Sequence, residues 1–337
     1  MKPVKIGIAG LGRLGKVHAW HLNYQVPGAV LAAVCTHTED GIAYARDELG
    51  NPPVYADFRD MLEQADLDAV VIVTASGAHC AQIEEALDAG KHVFCEKPLG
   101  TSPQDCLRAE AAVSRHPDRI FMLGFMRRYD ESYVYAMEKI RQGAIGTPYL
   151  VKATSIDPDA QAEQFIRYTA HSAGIFLDLG IHDIDLMRWI LGSEVAEIFA
   201  LGGTFKHPEF RDAGDEETAV AALRFQNGAM GMLHIGRTAP HGYHVETEIV
   251  GTEGTIRISG IPQRNRAVLL TPAGAVTECV EGFQERFQGA YLAELREFIA
   301  CVAQGRQPEV TVRDGVQSVV VAEAAKRAWQ TGKPVSL

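Results

Sequence analysis

The sequence lacks the features that mark nucleic-acid-binding, membrane-spanning and secreted proteins. Its 43 acidic residues outnumber its 32 lysines and arginines, which gives a net charge of −11 at pH 7, whereas nucleic acids and anionic membranes are bound through basic surfaces. Every apolar run is shorter than the roughly 18–20 residues that span a bilayer. The N-terminal stretch MKPVKIGIAG has neither the apolar core nor the cleavage site of a secretion signal. We therefore expect no nucleic acid and no membrane as a partner.

The chain also lacks paired cysteines. Its six cysteines stand apart at positions 35, 80, 95, 106, 279 and 301, and no two of them form a CxxC pair. This spacing is typical of reduced thiols in a cytoplasmic protein, and not of a disulfide framework or a zinc site. His18 and His21 lie three residues apart on a predicted helix, as two metal ligands can, but we interpret them as helix-surface or packing residues. We predict no metal.

The sequence does contain enough apolar residues for a large core. Hydrophobic residues make up 47% of the chain and charged residues 22%, which is the balance of a globular protein. A length of 337 residues exceeds one average domain, and the sequence pattern changes after residue 125. We therefore expect two domains, at residues 1–125 and 126–337.

The first domain alternates short apolar runs with longer amphipathic segments. This order predicts a doubly wound α/β fold of the Rossmann type, in which helices cover both faces of a parallel sheet. The predicted strands are 4–10, 30–36, 69–75, 92–98 and 120–126, and the predicted helices are 13–25, 39–49, 78–89 and 102–115.

The turn between the first strand and the first helix reads GLGRLG, which places Gly10, Gly12 and Gly15 in the pattern G-x-G-x-x-G. Glycines at these positions permit a tight turn, a close approach of the backbone to a pyrophosphate, and close packing of helix on strand. The N–H groups at the start of the helix attract phosphate. A glycine-rich turn without a ligand is the alternative, but it does not require this strand–turn–helix context. The segment predicts a nicotinamide dinucleotide site.

The end of the second strand bears on which dinucleotide is bound. An acidic residue there usually binds the ribose hydroxyl of NAD, but this strand ends in Thr36 and His37, and the first acids are Glu39 and Asp40. No arginine or lysine stands nearby to hold the 2′-phosphate of NADP. We expect Thr36 and His37 to contact the cofactor, with NAD slightly favoured and NADP left open.

Glu96, Lys97 and Pro98 lie at the end of the predicted strand 92–98. Ligands of doubly wound sheets lie beyond the carboxyl ends of the strands. We therefore expect Lys97 to face the nicotinamide end of the cleft, and the alternative is an ordinary surface lysine.

The segment 174–192, GIFLDLGIHDIDLMRWILG, has the composition of a core helix that polar residues interrupt. Asp178, His182 and Asp185 stand at positions i, i+4 and i+7, which lie on one face of a continuous helix. Buried charges need partners, so one interpretation is a row of catalytic groups facing a cleft. The other is structural: a helix cap, a satisfied buried histidine and a local pair between Asp185 and Arg188.

After residue 126 the pattern indicates an α+β domain with an open sheet, since alternating strands are separated by glycine-containing turns. A large sheet covered by helices on one side favours a homodimer or a homotetramer. We expect the closing helix, 313–331, to return toward the first domain. The predicted strands are 148–155, 195–206, 216–226, 229–238, 243–251, 254–259 and 266–271, and the other predicted helices are 174–191 and 289–304.

Together these segments resemble the Gfo/Idh/MocA oxidoreductase family, and within it inositol 2-dehydrogenases and related sugar or cyclitol dehydrogenases. The resemblance implies a Rossmann domain followed by a domain with a large, mostly antiparallel sheet used in oligomerisation. The matching stretches span nearly the whole chain: GLGRLG, EKPLG at 96–100, GFMRRYD at 124–130, the segment 174–192, GYHVETEIVGTEGTIRI at 242–258 and TVRDG at 311–315.

The resemblance also implies a set of site residues. By motif, Lys97, Asp178 and His182 match the catalytic lysine, aspartate and histidine of the family. The expected substrate contacts are Lys97, Arg127, Ser155, Asp157, Asp178, His182, Asp185 and Tyr243. The expected cofactor contacts are Gly10, Gly12, Arg13, Leu14, Gly15, Thr36, His37, Thr74, Ser76, His79, Glu96 and Lys97.

Several of these positions have alternatives. Arg127 and its neighbour Arg128 are solvated charges in the alternative interpretation, and Tyr243 is a packed loop residue. The chain also departs from the family pattern, because His244 stands where GYD has its acid, and Ser155 and Asp157 stand where inositol enzymes often have other polar residues. The departures leave the identity of the polyol open.

This set of residues suits the oxidation of a secondary alcohol to a ketone or lactone, which needs a hydride acceptor and a base. His182 is our candidate base, because histidine exchanges protons near neutral pH. Asp178 would stabilise the imidazolium and Lys97 the developing alkoxide, although the sequence leaves open which of Lys97 and His182 is the primary base. Two alternatives are a non-catalytic dinucleotide-binding sensor and a lyase or glycosidase that retains NAD.

Overall fold

The computed structural model describes residues 3–258 and 262–337, apart from the side chains of residues 168 and 170–172. The chain folds into two compact units. The first unit consists of Met1–Tyr129 and Gly289–Val319, and the second of Asp130–Gln288 and Val320–Leu337. Every helix in the described ranges is too short or too polar to cross a membrane.

The first unit contains the doubly wound α/β fold that the sequence predicts. Its strands are β1 (Val4–Ala9), β2 (Ala29–Cys35), β3 (Val54–Tyr55), β4 (Ala69–Ile72), β5 (His92–Glu96) and β6 (Phe121–Gly124). Its helices are α1 (Arg13–Tyr24), α2 (Glu39–Glu48), α3 (Phe58–Gln64), α4 (His79–Asp88) and α5 (Pro103–Arg115). The strands are parallel and lie in the order β3-β2-β1-β4-β5-β6, and in such sheets ligands bind where the strand order reverses, here beside β1.

The hydrophobic pattern explains most of this sheet. Every residue of β4 and β6 is buried, as expected for strands covered on both faces. β3 and α3 were not among the predicted elements. β3 is only two residues long and pairs with the end of β2, so it leaves no periodic pattern. α3 begins after Asp57, whose carboxylate accepts the N–H groups of Arg59 and Asp60 and so caps the helix. Aspartate is a preferred N-cap residue, so this signal was present in the sequence.

The second unit is an α+β fold. Its strands are β7 (Pro148–Pro158), β8 (Val195–Gly203), β9 (Thr218–Phe225), β10 (Met230–Ala239), β11 (His244–Gly251), β12 (Thr255–Ile258), β13 (Leu269–Thr271), β14 (Gly274–Val276) and β15 (Val335–Ser336). Its helices are α6 (Glu131–Arg141), α7 (Ala162–Ser172), α8 (Ile175–Asp178), α9 (Ile181–Leu191), α10 (Glu209–Asp212) and α11 (Phe283–Arg286). The main sheet has the order β12-β11-β7-β10-β9-β8-β15, and it is mostly antiparallel, with a parallel pair of β7 and β10.

The two faces of this sheet differ. Buried residues alternate with more exposed residues along β9 and β11, as the two-residue period of a strand requires. Helix α9 packs against β7. Leu201, Val220 and Met232 are exposed and line one shallow apolar groove on the sheet. Exposed apolar side chains in such a group mark an interaction surface.

Two long helices lie between β14 and β15 in the chain: α12 (Gln288–Gln304) and α13 (Val312–Thr331). Leu295, Phe298 and Ile299 of α12 belong to the hydrophobic core of the first unit. The ring of Phe298 packs edge-on against Phe94 of β5, with 5.7 Å between ring centroids. Residues from the C-terminal third of the chain thus complete the core under the parallel sheet.

The prediction of one continuous helix over 174–191 is wrong, because α8 and α9 are separate helices joined at Leu179 and Gly180. The N–H of Gly180 donates to the carbonyl of Ile175, five residues back, so this turn is wider than an α-helical turn. A Cβ at position 180 would lie 3.0 Å from the Phe176 carbonyl oxygen and 3.1 Å from a side-chain carbon of Ile235. Glycine therefore allows the close packing at the joint.

The predicted strand 266–271 is wrong in part. Only Leu269–Thr271 forms a strand, and it pairs with β14 in a separate hairpin outside the main sheet. The predicted strand 254–259 is present as β12, and its last residue lies outside the described residues.

Candidate active site

The turn after β1 has the geometry of a phosphate-binding loop. Gly10 has a φ of +91°, a left-handed conformation that favours glycine. A Cβ on Gly15 would lie 2.0 Å from the Gly10 carbonyl oxygen, so only glycine lets α1 pack this closely on the strand end. A Cβ on Gly12 would meet no atom of the described residues within 4 Å. The space above Gly12 is therefore open to a ligand.

The first turn of α1 can hold a pyrophosphate through its main chain. Gly12 is the N-cap, and it has no side chain of its own that could cap the N–H groups of this turn. Arg13 and Leu14 are the first residues of the helix, and Arg13 is exposed. Main-chain N–H groups and the positive end of the helix dipole together attract phosphate. The residues present therefore fit the diphosphate of a dinucleotide.

The end of β2 presents neutral polar groups. Thr36 is buried, with its hydroxyl oxygen 3.4 Å from that of Thr38, and Thr38 accepts the N–H of Gly41 and caps α2. His37 between them is exposed. A Cβ on Gly41 would lie 2.4 Å from the Thr36 oxygen, so glycine keeps room for this threonine. Neutral groups suit a ribose hydroxyl better than a 2′-phosphate, which prefers arginine.

His79 connects the chain after β4 to the chain after β5. The imidazole is buried, and its Nδ1 lies 2.8 Å from the Pro98 carbonyl oxygen and its Nε2 3.1 Å from the Thr74 carbonyl oxygen. Burial lowers the pKa of His79, which favours the neutral ring. Thr74 and Ser76 lie between β4 and α4 and are half-buried. The contacts of these three residues with a cofactor stay predictions.

Glu96 supports the main chain of Lys97. The Glu96 Oε2 accepts the N–H of Lys97 at 3.0 Å, and the peptide between Lys97 and Pro98 is cis. A Cβ on Gly124 of β6 would lie 3.1 Å from the Glu96 carboxyl carbon, so glycine makes room for this buried side chain. Lys97 is half-buried at the carboxyl end of β5, which is the position that the sequence predicts.

A buried cluster lies beside Glu96. His18 of α1, Glu96 and Glu294 of α12 are all buried, and one side-chain nitrogen or oxygen from each lies within 4.8 Å of the others. The His18 Nε2 and the Glu96 Oε1 are 2.7 Å apart. Burial and the neighbouring Glu96 raise the pKa of Glu294 well above its ordinary value. His21 is buried as well, so neither histidine lies on the helix surface.

Arg127 and Arg128 lie in the 3-10 turn that follows β6. Both are buried, so the alternative of two solvated charges is wrong. An Nη2 of Arg128 donates to the Asp314 Oδ1 at 2.9 Å within the first unit. Arg128 is thus a structural residue, and the substrate contact of Arg127 stays a prediction.

In the second unit, Asp178 is the last residue of α8 and His182 lies in the first turn of α9. The side chain of Asp178 is 17% exposed, whereas His182 and Asp185 are buried. Leu179 and Gly180 keep right-handed helical dihedral angles. Asp178 and His182 therefore remain on successive turns, although the helix is divided between them.

Arg237 of β10 was not among the predicted site residues, and it is fully buried. Its Nη2 donates to the Asp178 Oδ2 at 3.1 Å, and its Nη1 lies 3.8 Å from the Asp157 Oδ2. Burial by itself would lower the pKa of Arg237, but the carboxylates of Asp178, Asp157 and Asp215 outweigh it and raise the pKa. The available signal was an arginine inside the mostly apolar strand MGMLHIGRTA.

Asp185 and Arg188 form the local contact that the structural interpretation predicts, at 3.8 Å. Arg188 makes a closer contact with Glu194, to which its Nε and Nη2 donate at 2.6 and 2.8 Å. Two-bond contacts of this kind are the strong arginine–carboxylate pairs. Glu194 is therefore the main partner of Arg188, and a substrate contact of Asp185 stays a prediction.

Ser155 and Asp157 lie on β7, and Tyr243 directly precedes β11. All three are buried. The ring of Tyr243 packs edge-on against Phe287, with centroids 6.3 Å apart, as the packing interpretation predicts. The ring nitrogens of His244 and His241 lie 3.3 Å apart. β7 is hydrogen-bonded to both β10 and β11, so neighbouring strands carry Asp157, Arg237 and the segment after Tyr243.

Comparisons with known proteins agree with the motif assignment. A family model described as an oxidoreductase family, NAD-binding Rossmann fold, matches residues 4–125, and one described as its C-terminal alpha/beta domain matches residues 137–337. The chain is 35% identical to the myo-inositol 2-dehydrogenase of Thermotoga maritima, over 99% of this chain and 98% of that protein. It is 36% identical to the scyllo-inositol 2-dehydrogenase (NAD(+)) of Bacillus subtilis, over 99% and 96%.

One solved structure is also similar to this chain over its whole length. The scyllo-inositol dehydrogenase of Lactobacillus casei with bound cofactor NAD(H) and scyllo-inositol has a TM-score of 0.96 and 40% sequence identity, and the match covers 99% of both chains. The match thus extends over both units, from the glycine turn to the second sheet. The chain belongs to the Gfo/Idh/MocA oxidoreductase family.

Proposed function

We propose that this protein is an NAD-dependent inositol dehydrogenase, which oxidises a secondary hydroxyl group of a cyclitol to a ketone. The combination of the open glycine turn with Lys97 and the Asp178–His182 segment, all at positions of family motifs, carries the proposal. The similarity to the Lactobacillus casei enzyme supports the same cofactor and substrate class. The nicotinamide, when bound, supplies the acceptor for the hydride. In this proposal, residues 1–125 bind the cofactor and residues 126–337 supply the second domain that binds the substrate, although the segment 289–319 packs in the first unit.

His182 takes the proton of the substrate hydroxyl in the proposed mechanism, because a histidine changes its charge near neutral pH. Asp178 stabilises the imidazolium that forms. Lys97 donates a hydrogen bond to the same oxygen as negative charge develops on it. The bond from the Lys97 N–H to Glu96 holds the main chain from which this lysine extends.

A polyol substrate also needs groups that bind its other hydroxyls. We assign this role to Arg127, Ser155, Asp157, Asp185 and Tyr243, all of which are buried. A buried polar group that loses its partner costs free energy, so such a set discriminates strongly against analogues that lack a hydroxyl. His244 follows Tyr243 in the chain. The family pattern has an acid at this position, and we expect the imidazole of His244 to affect substrate binding differently from that acid.

Formation of NADH, followed by its near-ultraviolet absorbance, tests the proposal. The panel contains myo-inositol, scyllo-inositol and glucose, each with NAD and with NADP, and the variant His182→Ala is the control. We expect turnover of an inositol with NAD, and little turnover in the variant. Cofactor binding without NADH formation over the whole panel would favour the sensor. A cofactor that co-purifies and cleavage of a glycoside without NADH release would favour the lyase or glycosidase.

We also propose that the second-unit sheet joins subunits into a homodimer or a homotetramer. Leu201, Val220 and Met232 are 45–55% exposed and line one groove with Phe199. Burial of apolar side chains against a second copy is favourable, and the contact would be the same patch on both copies. Light scattering after size exclusion gives the mass in solution.

We place the protein in the cytoplasm. All six cysteines lie in the described ranges, and each is a free thiol. Reduced thiols are the normal state in a reducing compartment. Cell fractionation with an antibody against the chain tests the location.

A further inference from the structure

Arg237 is a buried cation that lies next to two acidic side chains of the second unit. Arg237 on β10 has no exposed surface. Asp178 at the end of α8 and Asp157 on β7 face its guanidinium at 3.1 and 3.8 Å. A single side chain therefore connects two elements, and each of them carries an acid that we assign to the substrate.

The rest of the surroundings keeps Arg237 in place. The rings of Phe165 on α7 and Phe210 on α10 lie 5.2 and 5.9 Å from its Cζ, where a cation is attracted to a ring face. The main-chain N–H of Arg237 donates to the main-chain carbonyl of Glu217 at 3.0 Å. The side chain has little room for another rotamer, because rings and strands enclose it on several sides.

Two more charged groups belong to this region. Asp215 is buried, it attracts Arg237 electrostatically, and it accepts the N–H of Ile175 at 3.0 Å, at the start of α8. The Lys326 Nζ of α13 lies near the same point, since a Cβ on Gly174 would be 3.2 Å from the Asp215 Oδ1 and 3.9 Å from that Nζ. The carboxylates of Asp157, Asp178 and Asp215 outnumber the cations around them, so the region is net negative.

We propose that Arg237 is a positioning residue that keeps Asp178 and Asp157 ionised and fixed, and thereby sets the pH above which His182 acts as a base. The inference rests on the proposed function, because it uses the roles assigned to Asp178 and His182. Arg237 is not a catalytic residue, since it acts through these acids.

The direction of the effect follows from charge. An opposite charge within roughly 4–6 Å favours the ionised form of a carboxyl group by about 1–3 pKa units. Without the guanidinium, Asp178 ionises only at a higher pH. A carboxylate that stays ionised in such a variant has no guanidinium beside it. Its negative charge then favours the protonated form of His182. Both effects move the acid limb of the pH–rate profile upward.

Shape matters as well as charge. A guanidinium is a planar fork that can contact two carboxylates at once, whereas a lysine ammonium is a point charge on a flexible stem. The variant Arg237→Lys keeps the charge and loses the fork. It should therefore shift the acid limb in the same direction as Arg237→Gln, but by a smaller amount.

The experiment compares the pH dependence of kcat/KM in the wild type, Arg237→Gln, Arg237→Lys and the control Arg224→Gln. Arg224 on the neighbouring strand β9 is 72% exposed and lies 3.7 Å from Glu197, so its loss should leave the profile unchanged. We expect the acid limb of Arg237→Gln to move up by about 1 pH unit or more, with unchanged affinity for NAD. A folded Arg237→Gln variant whose acid limb coincides with that of the wild type overturns the inference.

Two further readouts keep the test decisive. If Arg237→Gln does not fold, Arg237→Met, which also removes the charge but has an apolar side chain, decides, and an acid limb at the wild-type position overturns the inference. If the wild type oxidises no inositol, the proposed function fails, and stability against pH still tests the charge role. In that case, we expect the stability deficit of Arg237→Gln to shrink at acidic pH, where the acids are protonated; a deficit that does not change with pH overturns it.

Discussion

Replacement of Glu294 by glutamine tests the charge state of the buried cluster with His18 and Glu96. Neither carboxyl oxygen of Glu294 has a hydrogen-bond partner among the residues that the structure describes. An isolated carboxylate in a dry core is costly, so such a group takes up a proton instead. Glutamine has nearly the shape of the protonated acid and carries no charge. We therefore expect the variant to fold and to be more stable than the wild type at neutral pH.

The magnitude follows from proton linkage. Burial and the nearby Glu96 raise the folded-state pKa of Glu294 above its ordinary value of 4.5. An acid of this kind contributes its full stability below the unfolded-state pKa, and the contribution falls as pH rises until the folded-state pKa is reached. The fall is about 1.4 kcal/mol for each pH unit. For a domain of this size, that corresponds to roughly 3–6 °C in Tm per pH unit.

The assay is thermal and urea unfolding of both proteins at several pH values between 4.5 and neutrality. The difference in stability should be near zero at the acidic end and grow with pH in favour of Glu294→Gln. Glu297→Gln is the matched control, three residues further along α12. The hydrogen bond from Arg306 lowers the pKa of Glu297, so this control should be less stable than the wild type at neutral pH.

Two results would refute the reasoning. A difference that stays flat over this pH range means that Glu294 does not carry the proton. A Glu294→Gln variant that is less stable at neutral pH, with a wild type that loses Tm in EDTA and contains bound metal, means that His18, Glu96 and Glu294 hold a cation. Metal analysis of the purified protein decides between these two.

Three other predictions concern the site and the surface. His182→Ala should lower kcat by roughly 10²–10⁴ with an unchanged dissociation constant for NAD, and near-normal turnover would remove the histidine from the mechanism. Gly15→Ala should lose both NAD binding and thermal stability, because its Cβ would lie 2.0 Å from the Gly10 carbonyl oxygen; Gly12→Ala should lose NAD binding alone, and calorimetry with unfolding scans separates them. Leu201→Asp should reduce the mass measured by light scattering, and an unchanged mass would exclude this face as the interface.

Most of the first unit could be predicted from the sequence, because the sequence signals for its strands and its glycine turn are local. The strands of the parallel sheet are short apolar runs, and the glycine pattern lies between a strand and a helix, as the observed φ of Gly10 and the close packing at Gly15 require. The position of Lys97 at the end of a strand followed from the strand pattern, whereas the roles of Lys97, Asp178 and His182 came from the family resemblance. Their common action on one substrate is still a proposal.

The features that the sequence did not reveal depend on contacts between distant residues. At the division of the helix, Gly180 packs closely against Phe176 and Ile235, whereas composition alone favours a continuous helix there. Arg237 lies 59 positions from Asp178 in the chain, so no spacing rule connects them. Glu294 looks like any polar residue of an amphipathic helix, and only the tertiary structure shows that it is buried.

The contribution of α12 to the core of the first unit constrains biosynthesis. Leu295, Phe298 and Ile299 pack with residues of the first sheet, but a ribosome reaches them only after it has made every strand of the second sheet except β15. Until then, the nascent first unit exposes the apolar surface that these side chains later cover, a surface that invites aggregation or chaperone binding. A truncated protein that ends near residue 125 would keep this surface permanently uncovered. Attempts to isolate the nucleotide-binding half should therefore fuse 289–319 back onto it.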